Sequence, residues 1–158
     1  MLEFEIFDKG KSSAAYEDTI DVYECFGTLE SDNPEKRDPA CMCKISVTKD
    51  KWTISSWYTK RAYKKQGIGK QTLGHLLKFL HQTYGIPKCI EYIWDGRNEY
   101  VGDWMTKHFD AKCKCPIAVQ KMLEAEDDWS SHIYRLNVAK VFEYFEIDNE
   151  TIKENENE

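Results

Sequence analysis

No run of this chain is long and apolar enough to cross a bilayer, which takes roughly 20 residues. A basic and apolar leader is missing as well, since the first residues are Met1-Leu2-Glu3-Phe4-Glu5. These two absences set the expectation of a cytoplasmic protein without membrane attachment. Positive charge is not in excess. The formal net charge is −6, which speaks against nonspecific nucleic-acid binding. Proline is scarce, at four residues, and two of them fall in the polar stretch 31–39, read as a loop.

Common site motifs are absent too. A dinucleotide fingerprint needs glycine at position 72, which is Thr72, and a P-loop needs Ser or Thr after Gly69-Lys70, where Gln71 stands. No Gly-x-Ser-x-Gly nucleophile turn occurs. His75 and His81 are six residues apart, not the four that put two ligands on one helix face. The six cysteines are Cys25, Cys41, Cys43, Cys89, Cys113 and Cys115. Cys-x-Cys is a weaker match to structural zinc sites than Cys-x2–4-Cys. Free buried thiols in a reducing compartment are the simpler reading, with paired or zinc-bound thiols as the alternative.

What is present describes an ordinary globule. With 158 residues, 41% of them apolar and 32% charged, one domain with a real core is expected over 1–148. The acidic stretch 149–158 reads as a frayed tail. Leu2, Phe4 and Ile6 alternate with Glu3 and Glu5, a strand with one wet face. Residues 19–29 favour a second strand, with a helix as the alternative. Cys41, Cys43, Ile45 and Val47 share one face of a third strand. Residues 52–59 make its hairpin partner. Leu73, Leu76, Leu77, Leu80 and Tyr84 give a long helix from Ile68, closed by Gly85-Ile86-Pro87. Residues 88–94 form a short apolar strand, parallel to the one before the helix. Asn98 is an N-cap candidate for a helix burying Val101, Trp104 and Met105. Strands are expected at 112–119, broken by Pro116, and at 132–136. Residues 138–147 fit a helix or a strand equally.

The stretch Tyr63-Lys64-Lys65-Gln66-Gly67-Ile68-Gly69-Lys70 lies between strand and long helix. Glycines let a ligand reach the backbone. The helix N-terminus supplies N–H groups and the positive end of a dipole, and the lysines add charge. This combination suits phosphate or pyrophosphate. The competing reading is a plain turn with a solvated basic face.

These elements resemble the GNAT superfamily of acyl-CoA-dependent N-acyltransferases. The family's cofactor loop reads Arg/Gln-x-x-Gly-x-Gly/Ala; here Lys64 stands at the Arg/Gln position, followed by Gly67 and Gly69. Its later Asn-x-x-Ala segment is matched by Asn98 and Val101, with Trp104 at the bulky position. Met105 stands where many members have a tyrosine, and Phe109-Asp110 stands for the family's Gly-Phe. The resemblance implies an α+β fold, layered α/β/α. Its sheet is mixed and mostly antiparallel, of about six to seven strands, with a central parallel β-α-β unit and a V-shaped cofactor cleft.

It further implies acetyl-CoA, or another acyl-CoA, as co-substrate. The pyrophosphate would lie on Lys64, Lys65, Gln66, Gly67, Ile68, Gly69 and Lys70, with Asn98 nearby. The pantetheine arm would pair with the backbone of Trp57, Tyr58 and Thr59. A small-molecule or peptide amine would accept the acyl group, with a homodimer left open. Direct attack needs a base, an oxyanion donor and an acid for the leaving thiolate. Glu91 is the candidate base; otherwise it pairs with a lysine or faces a partly solvated cleft. Asp95 is a weaker candidate. Tyr134 or Tyr144, reaching in from C-terminal strands, would be the acid in place of Met105. The alternatives are a member that binds acyl-CoA without turnover and an α/β protein that acts by protein contact.

Overall fold

The structure is a computed structural model, and it describes residues 2–10, 19–29, 39–64, 66–94, 99–113 and 132–148. The chain divides into two compact units. One comprises Met1–Lys49 and Ile54–Gly85, the other Asp50–Thr53 and Ile86–Glu158.

The first unit contains β1 (Leu2–Asp8), β2 (Asp21–Leu29), β3 (Cys41–Val47), most of β4 (Lys51–Thr59) and α1 (Ile68–Tyr84). The second contains β5 (Cys89–Trp94), α2 (Glu99–Phe109), β6 (Lys112–Cys113), β7 (His132–Leu136) and α3 (Val138–Tyr144), together with the first residues of β4. The strands follow the sheet order β1-β2-β3-β4-β5-β7-β6. β1 with β2, β2 with β3, β5 with β7 and β6 with β7 are antiparallel. The mixed α/β fold with a sheet of about seven strands is the expected one.

In the first unit, one sheet face is apolar because of simple alternation. Cys41, Cys43, Ile45 and Val47 are all buried, while Met42, Lys44 and Ser46 are half-buried. β2 is a strand, so the helical alternative over 19–29 does not hold. Its Tyr23, Cys25 and Gly27 lie opposite Ile45, Cys43 and Cys41. α1 covers this face. Leu73, Leu76, Leu77 and Leu80 are buried at the helical period. Phe4 stacks on His75 at 4.4 Å, and Tyr23 meets Phe79 edge-on at 5.4 Å. The helix approaches β2 so closely that a Cβ on Gly27 would collide with the Thr72 hydroxyl, which itself donates to Ile68 O at 2.8 Å. α1 ends at Gly85, whose φ of 79° is a left-handed value that favours glycine.

In the second unit, β4 and β5 start side by side: the N–H groups of Lys88 and Cys89 both donate to Asp50 O, at 2.9 and 3.2 Å. β5 lies opposite β7, pairing Ile90 with Leu136, Glu91 with Arg135 and Tyr92 with Tyr134. The undecided segment 138–147 begins as a helix. Asn137 caps it, its side chain accepting the Lys140 N–H at 3.0 Å. Helical spacing buries Val141, Phe142 and Phe145 and leaves Glu143 exposed; a strand would have put Glu143 on the face of Val141 and Phe145. Trp104 and Phe109 of α2 meet Tyr144 edge-on at 5.4 Å each. Of the strand expected over 112–119, Lys112–Cys113 is seen; 114–119 lie outside the described residues, as do 12–18, 31–38, 123–130, 149–158 and Cys115.

Candidate cofactor-binding site

The loop after β4 is tied down along its length. The Lys60 N–H donates to Ala40 O at 2.8 Å, and Arg61–Tyr63 makes a single 3-10 turn. Gly67 then takes φ 77°, and its carbonyl accepts the first helical hydrogen bond, from Gln71 N–H at 3.1 Å. A left-handed φ costs an L-residue about 1–2 kcal/mol, so glycine is needed here for backbone conformation. Among the described residues no side chain caps α1, and no acidic residue stands in its first turn. Helix geometry leaves the N–H groups of that turn without intrahelical acceptors. The end of the dipole is therefore not offset by a carboxylate of the helix's own first turn.

Gly69 answers to a different constraint. A Cβ there would lie 2.8 Å from Thr59 Oγ1 and 3.5 Å from Trp57 Nε1. The missing side chain makes room for Thr59 and Trp57 of β4, a reason for this glycine beyond the one read from the sequence. The Trp57 indole N–H donates to Gly69 O at 3.0 Å, and the Thr59 hydroxyl donates to Cys41 Sγ at 3.5 Å. Beneath the turn, Ile68 packs with Ala40 and Cys41, and Leu2, Leu29, Trp57 and Tyr63 close around them. Ile68 is buried, so its side chain is a packing element.

Among the other candidate ligands, Tyr58 is 59% exposed, Lys64 and Gln66 are exposed, and Lys70 is half-buried. Lys65, Asn98 and Asp95 lie outside the described residues. The structure thus gathers Trp57, Thr59, Gly67, Ile68 and Gly69 into one braced turn. Sequence reading missed the Trp57 side chain and assigned only its backbone. The available signal was a tryptophan and a threonine two residues apart, on one strand face, just before a glycine-rich turn.

The candidate catalytic groups all fall in the second unit. Glu91 is 3% exposed, and the Lys51 ammonium lies 3.5 Å from its Oε2. The Cys89 thiol donates towards Oε1 at 3.9 Å. Pairing with a lysine is therefore the environment that Glu91 has. A buried carboxylate without such a partner would cost several kcal/mol, of order 3–5. The register of β5 and β7 sets Glu91 with Arg135 on one sheet face and Tyr92 with Tyr134 on the other. Glu91 and Tyr134 are not brought together. Tyr144 is on a helix, not a strand, and its ring lies 5.2 Å from His108 and 5.0 Å from Phe145. Met105 is 1% exposed, so the position matched to the family's tyrosine is core.

The Cys-x-Cys strand supplies buried thiols. Cys25, Cys41 and Cys43 are free and buried. Burial pushes the Cys41 thiol up, and Cys43 is pushed well up by its hydrogen bond with Cys25 and then by burial. Both stay protonated at neutral pH and act as small apolar side chains.

No protein-family model matches the chain, and no curated protein matches it in sequence. Solved structures do match. The PaiA N-acetyltransferase of Thermoplasma acidophilum, solved with coenzyme A, is similar with a TM-score of 0.54 at 14% identity. The match covers 75% of this chain and 62% of that one. A GNAT-family acetyltransferase from Staphylococcus aureus Mu50 is similar with a TM-score of 0.53 at 11% identity, over 74% of this chain and 68% of that one. ElaA of Escherichia coli is similar with a TM-score of 0.51 at 11% identity, over 85% of this chain and 98% of that one. What is shared at these identities is the fold. The chain has the mixed α/β fold of the GNAT acetyltransferases.

Proposed function

We propose that the chain is a divergent GNAT member that binds an acyl-CoA, acetyl-CoA in the first instance, and transfers the acyl group to a primary amine. The observation that carries this reading is the uncapped start of α1. A left-handed Gly67 opens a helix with no acidic residue in its first turn, and the turn is fastened to β4. Such a turn accepts the pyrophosphate of a CoA on backbone N–H groups of the segment 66–70. Lys64 and Arg61, both exposed, add positive charge close by. The backbone of Trp57, Tyr58 and Thr59 takes the pantetheine amides. The shared fold, found also in a protein solved with coenzyme A, supports the same ligand.

In this reading an amine nitrogen attacks the thioester carbonyl, the C–S bond breaks and the CoA thiolate leaves with a proton. Glu91 serves as base and Tyr144 as acid. Isothermal calorimetry with acetyl-CoA tests the binding half. The wild-type chain binds, and Gly67→Val weakens binding at least about tenfold, since the turn loses its left-handed residue. Unchanged affinity would remove the loop from the site. Turnover is tested by CoA release with a panel of amines. Glu91→Gln lowers that rate by about 10²-fold or more, and most at low pH, where the amine itself is protonated. A flat, small effect removes Glu91 as base.

A second reading is favoured by one observation. The buried Met105 has no proton to give and stands where many family members carry the acid. A chain that binds acyl-CoA without turnover fits it as well, and binding without CoA release from any amine selects that reading.

A further inference from the structure

We propose that Trp57 and Thr59 are positioning residues for the anion site at the start of α1. They hold the first helical turn in the orientation in which its N–H groups converge on a pyrophosphate. The inference rests on the acyl-CoA reading above and adds what keeps that site in shape.

Helix starts fray unless something fixes them, and here the usual device is lacking. The N-cap is Gly67, which has no side chain to accept an N–H. Glycine is also the residue with most freedom to leave the required conformation. The restraint comes from the sheet instead. Trp57 on β4 donates its indole N–H to Gly69 O at 3.0 Å, gripping the first turn by a backbone atom. Thr59, on the same strand face, has its hydroxyl 2.8 Å from where a Gly69 Cβ would be. Its hydroxyl donates in turn to Cys41 Sγ on β3 at 3.5 Å. Ile68 is locked from below by Ala40, Cys41 and Tyr63. The turn is therefore held from two strands at once. An anion that binds it has little ordering left to do, which is the gain from preorganisation.

The test uses the full chain and two probes, acetyl-CoA and inorganic pyrophosphate, titrated by calorimetry well below the melting temperature. Trp57→Phe keeps an aromatic ring and loses the donor. Both probes should bind about 3- to 10-fold more weakly, the loss expected for one hydrogen bond that orients the site. A purely structural role would lower the melting temperature and leave the affinity of the folded protein unchanged; that outcome overturns the inference. Gly69→Ala should weaken both probes too, because its Cβ displaces Thr59. Thr59→Ala alone, which loses the hydroxyl that donates to Cys41 Sγ, should weaken both probes about as much as Trp57→Phe. Gly69→Ala and Thr59→Ala decide the matter if Trp57→Phe does not fold, and unchanged affinity in Thr59→Ala overturns the role of Thr59. A wild-type chain that binds neither probe removes the acyl-CoA reading, and this inference with it. A wild-type chain that binds, beside variants that bind equally well, removes the inference alone.

Discussion

The two units treat their family-like residues in opposite ways. In the first, Gly67 is free of side-chain crowding and sits in a conformation that only glycine holds cheaply, at the mouth of an uncapped helix. In the second, the residue at the tyrosine position of the motif and the candidate base are drawn inward. Met105 is core, and Glu91 is buried against Lys51. Features that serve packing can be kept without chemistry, whereas the uncapped start of α1, with no acidic residue in its first turn, is the place proposed above for an anion. The difference sets the proposed anion site, at a helix start, apart from the proposed base, which is packed away from solvent.

The contrast can be broken at Met105. Met105→Ala should cost about 3 kcal/mol in chemical unfolding, the usual loss for a buried methionine, while acetyl-CoA affinity stays unchanged. Met105→Tyr places there the tyrosine common in the GNAT motif; it should destabilise by about 1–3 kcal/mol through overpacking and add no turnover. A gain in CoA release would overturn the contrast, because the position would then be catalytic.

A smaller effect is expected at Lys51. Lys51→Met leaves Glu91 without the Lys51 ammonium and should cost about 2 kcal/mol. This is below the full range for a buried pair because the Lys51 side chain is 36% exposed. Adding Glu91→Leu should recover most of the loss in urea unfolding. Failure to recover would mean that Glu91 contributes to stability through contacts beyond Lys51.

The smallest effect is at His75 in the first unit. Burial, then the Lys78 charge, holds its imidazole below the ordinary value of 6.5. The folded state therefore favours the neutral ring. The stabilisation is present above pH 6.5 and is lost as pH falls from there through the lowered folded value. His75→Phe keeps the stack on Phe4 and should remove this slope from melting temperatures measured across that window. A slope that persists assigns it to another group.

Much of the fold was legible in the chain. The limits of α1 follow from leucine spacing, a glycine at either end and Pro87 beyond. β3 follows from its alternation. Gly27, in the middle of β2, was an unread cue to a close approach, and the Thr72 side chain of α1 is what approaches. The segment 138–147 was not decided by periodicity, because its apolar residues satisfy two periods. Asn137 was the missed local cue, and burial of Phe142 on Trp52, with ring centroids 6.0 Å apart, is the tertiary one.

By itself the sequence determined the order of elements, the basic turn and the place where a helix N-terminus would meet it. These depend on local periodicity and on glycine, which act within a few residues. Only the tertiary structure decided what the side chains around that turn do. It gave Gly69 to Thr59 and Trp57, Glu91 to Lys51, and Met105 to the core. It also put Glu91 and Tyr134 on opposite sheet faces. Those outcomes depend on strand register and on packing between segments distant in the chain, and no local pattern encodes either.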